Sequence, residues 1–219
     1  MYDCYVGIDQ SLTGTGIVVI DKNGEIVGMR LIAPPKNLNR GVQRLNWITK
    51  TVIEFMDEKC DGCVASVREG YSYGSKGRSV FDLGELGGCL DLMLFHNRGE
   101  GTLEHFVIPP STMKKWVLGH GNVKKDTGYL MKILAKTGIK FPDDNQADAY
   151  MHAVTLRSAC LIAAGEMEVD DLTETQRESF FSGARMKTEG LTKAKMKKIT
   201  NEEFRTLLSK VITDDYKSF

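Results

Sequence analysis

The chain has 219 residues, 42% of them hydrophobic, which is enough material for one sizeable core. Lys plus Arg and Asp plus Glu each number 29, so contact with nucleic acid would have to come from cations gathered on one face. No apolar run approaches the roughly 20 residues of a membrane span, and the N-terminal residues lack the pattern of a signal peptide. We therefore expect a soluble, cytoplasmic protein with no membrane partner.

The N-terminal third of the chain predicts three antiparallel strands, a helix and a fourth strand. Two apolar segments rich in β-branched residues are separated by QSLT, and Lys22, Asn23 and Gly24 supply a tight turn into the third. The apolar spacing then changes to threes and fours, which is typical of one face of a helix. In chain order the predicted elements are strands at 5–9, 14–21 and 25–32, a helix over about 39–59, and a buried strand at 63–69.

The middle of the chain predicts helices interrupted by one strand. Leucines at helical spacing follow residue 79, and the small residues Gly84, Gly87 and Gly88 would permit close packing against a partner. In chain order the predicted elements are a helix at 79–96, a strand at 105–108, and helices from about 111, over about 123–137 and over about 144–164. This order fits an α/β fold with a mixed five-stranded sheet flanked by helices, because hairpins give antiparallel strands and helical crossovers give parallel ones.

The C-terminal part of the chain differs in character from the rest. The stretch 185–198 has six lysine or arginine residues against one glutamate, and an amphipathic segment, NEEFRTLLSKVI, follows it. We therefore predict a core domain at 1–165 and a helical C-terminal extension at 166–219, whose basic segment contacts DNA or a partner.

Four carboxylates lie at positions that a central site would use. Asp9 ends the first strand, Glu69 ends the fourth, and Asp144 and Asp148 are one turn apart on the last core helix. Taken singly, such acids are more often solvated charges or helix caps, and Asp144 after Pro142 is a candidate cap. If the four converge they need a counter-charge, and hard oxygen ligands favour two Mg²⁺ ions, or Mn²⁺ in their place.

Four motifs together resemble the RuvC-type Holliday junction resolvases. They are GIDQSLTGTG at 7–16, VREGYSYGSKGRSVFDLGELGG at 67–88, STMKKWVLGHGNVKKD at 111–126 and DNQADAYMHA at 144–153. The first alone is only moderately specific, because actin-like sugar kinases also begin with an acidic strand-turn-strand. The resemblance covers roughly 1–165 and implies a ribonuclease H-like core. It also implies metal-ligand roles for Asp9, Glu69 and Asp148.

The fourth ligand departs from the family pattern. Family members commonly have Asp or His three positions before the last Asp, where this chain has Asn145. We predict Asp144 instead, because the spacing of four from Asp148 keeps it on the same helix face and it retains an anionic oxygen. The four histidines and Arg68 predict no further site.

The resemblance also implies DNA contacts from two regions. Lys114 and Lys125 flank the GHG turn at 119–121, where family members use lysines to hold phosphates. In the loop after Glu69, an aromatic residue of the family wedges into the junction at the position of Ser72, so either neighbouring tyrosine, or neither, takes that role. The predicted contacts in this loop are Tyr71, Tyr73, Lys76 and Arg78.

The function that the resemblance implies is a magnesium-dependent endonuclease that cuts four-way or other branched DNA during recombination and repair. It also implies a homodimer, for which the helix at 79–96 is the candidate face. The compact core with an added tail suits a phage enzyme acting in the host cytoplasm. Alternatives are a junction-binding protein that does not cut, a ribonuclease H acting on hybrids, and an actin-like phosphotransferase. The phosphotransferase would need a second phosphate loop and an adenosine motif, and the sequence contains neither.

Overall fold

The computed structural model describes residues 2–38, 41–70, 78–97, 103–121, 123, 125–126, 128–170, 172–180 and 199–213. Within these ranges the chain forms a five-stranded sheet with helices on both faces. The elements in chain order are β1 (Cys4–Asp9), β2 (Thr15–Asp21), β3 (Ile26–Ile32), α1 (Gly41–Lys59), β4 (Val64–Glu69), α2 (Arg78–His96), β5 (Leu103–Ile108), α3 (Pro110–Leu118), α4 (Tyr129–Thr137), α5 (Asp144–Ala163), α6 (Glu174–Ser179) and α7 (Asn201–Thr213).

The sheet has the strand order β3-β2-β1-β4-β5 and is mixed, as predicted. The β1–β2 and β2–β3 pairs are antiparallel, because short turns connect them. In the second turn the Asp21 carboxylate accepts the N–H groups of Asn23 and Glu25 at 2.8 and 2.9 Å, and Gly24 has φ +95°. The β1–β4 and β4–β5 pairs are parallel and are joined by helical crossovers. β1 and β4 are therefore adjacent central strands whose carboxyl ends lie at the same edge.

Two hydrophobic cores lie on the two faces of the sheet. Alternate β1 residues divide between them: Val6 and Ile8 pack with α1 and α2, whereas Tyr5 packs with α3, α4 and α5. Burial of a large aliphatic side chain stabilises the fold by about 1.5–3 kcal/mol, so β1 is held from both sides. Because side chains alternate between the two faces along a strand, the side chain of Asp9 points to the same face as that of Tyr5, toward α5.

One predicted helix starts later than expected. The sequence predicted a helix over about 123–137, but α4 begins at Tyr129. Just before it, the Asp126 carboxylate accepts the Gly128 N–H at 3.0 Å. This local hydrogen bond competes with the helical pattern, as Asp commonly does ahead of a helix.

The described part of the C-terminal extension packs on the core. Val169, Phe180, Phe204 and Leu208 are fully buried in the cluster that contains α5, and the Phe180 and Trp116 rings lie 4.8 Å apart between centroids. The boundary at 165 stays a prediction, and the basic segment 185–198 lies outside the described residues. None of the helices in the described part of the chain combines the length and the apolarity needed to span a bilayer.

Candidate metal centre

Helix α5 lies directly on the main chain of β1 and β2. A Cβ atom built on Gly7 would be 1.8 Å from the Ala149 carbonyl oxygen, and one on Gly16 would be 2.2 Å from the Asn145 carbonyl oxygen. Only glycine therefore permits this approach at either position. The contact places the inner face of α5 against the end of β1.

Asp9 and Glu69 occupy the carboxyl ends of the two adjacent parallel strands. Ile8 is in register with Arg68, so the next residue of each strand lies at the same edge. Asp9 as a whole residue is only 4% exposed. Burial, followed by the nearby carboxylates of Glu69 and Asp148, raises the pKa of Asp9 well above its ordinary value. This carboxyl group lacks sufficient positive charge around it.

His152, one turn after Asp148 on α5, completes the buried side of the site. A ring nitrogen of His152 and carboxylate oxygens of Asp9 and Glu69 all lie within 4.8 Å of one another. The ring is fully buried, and neither of its nitrogens has a hydrogen-bond partner among the residues described. Burial lowers the pKa of His152 to about 4, so the ring is neutral at pH 7.

Sequence reasoning missed His152. The available signal was its spacing of four from Asp148, which places both side chains on one face of α5. That signal is weak alone, because a single histidine in an apolar helix is more often a packing residue.

Lys125 lies among Asp9 and the two α5 carboxylates, Asp144 and Asp148. Its Nζ is 2.8 Å from Asp148 Oδ2, 3.1 Å from Asp144 Oδ2 and 3.9 Å from Asp9 Oδ2. Burial acts to lower the pKa of Lys125, but the Asp148 and Asp9 carboxylates outweigh it and raise that pKa. One ammonium group thus sits where a cation is attracted by three of the four predicted acids.

These contacts bring the four predicted carboxylates to one location, which we call the acidic cluster (Asp9, Glu69, Asp144 and Asp148). The helix cap at this point is Asp143, whose carboxylate accepts the Gln146 N–H at 2.8 Å, so Asp144 is not the cap. Asn145, the alternative to Asp144, has its carbonyl against Gly16 and its amide nitrogen 3.5 Å from a Cβ position on Gly14. Asn145 therefore contacts β2, whereas Asp144 contacts Lys125.

Tyr129 and Lys114 border the acidic cluster. The Tyr129 hydroxyl donates a hydrogen bond to Asp148 Oδ1, and Tyr129 is 2% exposed. Lys114 Nζ lies 5.8 Å from the centroid of the Tyr129 ring, a cation–π distance. Both lysines that were predicted to hold phosphate therefore flank the acidic cluster.

The predicted loop contacts fall mostly outside the described part of the chain. Tyr71, Tyr73 and Lys76 lie outside the described residues, and Arg78 begins α2 without a described side chain. His120 is exposed in the GHG turn, with its Nδ1 3.0 Å from the Leu118 carbonyl oxygen.

A second charged group lies on the opposite face of the sheet, and we call it the Arg68 network (Ser66, Arg68, Asp91 and His105). Arg68, 3% exposed, donates from Nε and Nη2 to the two carboxylate oxygens of Asp91 at 2.5 and 2.6 Å. The His105 ring lies between Ser66 Oγ, at 2.8 Å, and Asp91 Oδ1, at 3.1 Å. Burial acts to raise the pKa of Asp91, but hydrogen bonds from Arg68 and His105 lower it to about 2.

Comparison with solved structures identifies the fold. The structure of RuvC from Thermus thermophilus matches with a TM-score of 0.55 and 19% identity, covering 74% of this chain and 97% of that one. RuvC from the same organism in complex with a Holliday junction substrate matches with a TM-score of 0.55 and 18% identity, covering 75% and 98%.

This chain has the RuvC fold. The ribonuclease H-like core predicted from the four motifs is therefore confirmed, with its five-stranded mixed sheet. No protein-family model and no curated protein sequence matches the chain. Because the sequence identity is below one fifth, this similarity shows the RuvC fold and not the activity.

Proposed function

We propose that this protein is a metal-dependent endonuclease that cuts four-way or other branched DNA. The observation that carries the proposal is the acidic cluster, in which a carboxylate only 4% exposed lies beside further acids at the carboxyl ends of central strands. Buried like charges are costly unless cations neutralise them, and within the described part of the chain the ammonium of Lys125 does not balance the cluster. Unsatisfied charge at this edge favours a functional site over a structural one.

The acidic cluster would hold divalent metal ions. Asp9, Glu69, Asp144 and Asp148 offer hard oxygen ligands, the donor type that Mg²⁺ and Mn²⁺ prefer. Asp9 lies within 4.8 Å of a Glu69 oxygen and 3.9 Å from Lys125 Nζ, so its carboxylate would be among the residues that hold the ions. Two such ions supply an activated water and stabilise the leaving oxygen of a phosphodiester.

The cationic and aromatic residues around the site would bind the DNA. Lys114 and Lys125 stand beside the acidic cluster, where a phosphate must lie for its ester bond to reach the metals. Lys125 Nζ contacts the same carboxylates that would hold the metals, so bound metals would compete with it for those oxygens and would leave its ammonium available to phosphate. We further propose Tyr71, Tyr73, Lys76 and Arg78 as contacts to unstacked bases and backbone.

A branched substrate and a homodimer follow from the same proposal. One of the matching structures is described as a complex with a Holliday junction, which supports branched DNA as the partner here. The surface of α2 exposes Phe81 at 77% and Leu92 at 56%, which is unusual for large apolar side chains and supports pairing of two copies. Light scattering of a Leu92→Lys variant should then show monomers, and an unchanged mass would remove α2 as the interface.

The deciding experiment compares Asp9→Asn with the parent on synthetic four-way, three-way, flap, linear and hybrid substrates, in Mg²⁺ and in EDTA. Asparagine keeps the shape but removes the anionic oxygen pair, so cutting should fall by orders of magnitude. Junction binding in EDTA should be equal or slightly tighter, because a negative charge beside the phosphate is removed. Asp57→Asn, an exposed position on α1, is the matched control and should cut like the parent.

Other outcomes identify the alternatives. If Asp9→Asn cuts junctions as fast as the parent, the two-metal proposal fails and a junction-binding protein with a contaminating nuclease becomes the better account. Cutting restricted to RNA–DNA hybrids would identify a ribonuclease H. The intact acidic cluster argues against a binding protein that has lost its chemistry.

A further inference from the structure

We propose that one metal position in this protein has a nitrogen ligand, His152, so that the site binds a first-row transition ion such as Mn²⁺ in preference to Mg²⁺. The inference rests on the proposed function and goes beyond the carboxylate ligands predicted from the sequence. It concerns the buried side of the acidic cluster, where Asp9, Glu69 and His152 meet.

The first support is geometric. Each of these three residues offers a ligand atom, and all three atoms lie within 4.8 Å of one another. Metal–ligand bonds of about 2.0–2.2 Å from one central ion give ligand separations within this limit. The three residues come from β1, β4 and α5, and the glycine contacts of α5 hold these elements together.

The second support is independent of the acids. His152 is fully buried, yet neither ring nitrogen has a hydrogen-bond partner within the described part of the chain. An unsatisfied buried polar group destabilises the fold, so a buried imidazole normally finds a donor or acceptor. An imidazole ring beside two carboxylates offers a nitrogen ligand atom, and a shared cation would satisfy all three groups at once.

A purely structural role for His152 predicts a different arrangement. A histidine that only positioned Glu69 would donate its N–H to that carboxylate, as His105 contacts Asp91 on the opposite face at 3.1 Å. No such bond joins His152 to any residue that the structure describes. The chemistry of the donors then selects the ion, because imidazole nitrogen suits transition metals whereas Mg²⁺ demands oxygen.

The test measures bound Mn²⁺ directly, in the full-length protein without DNA. Electron spin-echo modulation of bound Mn²⁺ should show coupling to a histidine nitrogen in the parent. His152→Gln should lose that coupling, and its Mn²⁺ affinity by calorimetry should fall by at least the roughly 10- to 100-fold that loss of an outer-shell partner costs. His152→Asp should also lose the coupling, but it restores an all-oxygen site and should lower the Mn²⁺-to-Mg²⁺ affinity ratio. His96→Gln, exposed at the end of α2, is the control and should keep the coupling.

The outcomes separate this inference from the proposed function. Mn²⁺ bound without nitrogen coupling in the parent overturns the role of His152 and leaves an oxygen-ligated nuclease intact. A parent that binds no Mn²⁺ overturns both. The spectrum of the parent alone decides the question if either His152 variant fails to fold.

Discussion

The acidic cluster and the Arg68 network lie on opposite faces of the sheet at neighbouring positions of β4. Arg68 points to one face and Glu69 to the other, so the two groups share a strand and differ only in what surrounds them. In the Arg68 network the guanidinium, the carboxylate and the ring are all hydrogen-bonded. In the acidic cluster several carboxylates share one ammonium, and a buried ring has no partner among the described residues.

The difference distinguishes a charged group that stabilises a fold from one that is available for chemistry. The pKa of Asp91 is lowered to about 2 because its partners stabilise the anion, despite the opposing effect of burial. The pKa of Asp9 is raised because burial and neighbouring acids destabilise the anion. Both groups contain buried charge, so burial alone does not separate them. The direction of the pKa shift does, because it shows whether the surroundings stabilise the anion.

The largest expected effect on stability comes from the Arg68 network. Asp91→Asn leaves the guanidinium of Arg68, only 3% exposed, without its anionic partner. Breaking a buried ion pair costs about 3–5 kcal/mol, and the 41% exposure of the Asp91 side chain reduces this to roughly 2 kcal/mol. Thermal unfolding should then shift down by about 4–8 °C, equally with Mg²⁺ and with EDTA. A shift that Mg²⁺ abolishes would show that the network is coupled to the metal site.

A smaller effect on stability is expected from Asp9→Asn, which should stabilise the metal-free protein at high pH, whereas Asp91→Asn should destabilise it. Because the folded-state pKa of Asp9 is raised, the folded protein binds a proton that the unfolded chain releases, so metal-free stability should fall as pH rises above about 4. Asp91, with a lowered pKa, contributes stability above about 4 that is lost as pH falls toward 2. Urea unfolding in EDTA should show that Asp9→Asn reduces the fall of the unfolding free energy with rising pH. At pH 8 the variant should be more stable than the parent by on the order of 1 kcal/mol. An Asp9→Asn protein that is less stable than the parent at pH 8 would mean that the acidic cluster is already satisfied without metal.

The smallest effect concerns the cations at the rim of the site. If Lys114 and Lys125 each contact a phosphate as proposed, alanine at either should decrease the salt dependence of junction binding by about one unit of slope. The cut position should stay the same, because the proposed role of both lysines is to position DNA. Fluorescence anisotropy across a salt series measures the slope, with the exposed Lys50→Ala on α1 as the control. A shifted cut site with unchanged affinity would contradict a positioning role.

The fold and the carboxylates were predictable because their signals are local. Asp9 and Glu69 each end an apolar strand, and a charge at the end of a central strand stands out against its neighbours. Asp148 stands one turn after Asp144, and the pair was recognisable from spacing alone. The late start of α4 was not predicted, and the hydrogen bond that the Asp126 carboxylate accepts from the Gly128 N–H lies just before the first residue of that helix.

The remaining features depend on contacts between distant parts of the chain. His152 looks like a packing residue until Gly7 brings β1 against α5. The Arg68–Asp91 pair spans a separation of 23 residues and two elements, and neither residue has a distinctive neighbourhood in the sequence. Convergence of this kind is set by the depth at which helices pack on the sheet, which periodicity does not report.

The contact between Gly7 and Ala149 makes the distance between Asp9 and the α5 residues of the proposed metal site a property of the main chain. A methyl group at Gly7 would lie 1.8 Å from the Ala149 carbonyl oxygen, so α5 would have to retreat by more than an ångström, about half the length of a metal–oxygen bond. Gly7→Ala would therefore separate Asp148 and His152 from Asp9 without altering a single ligand. In a mutational scan for activity, Gly7 should therefore tolerate substitution as poorly as the carboxylates of the acidic cluster.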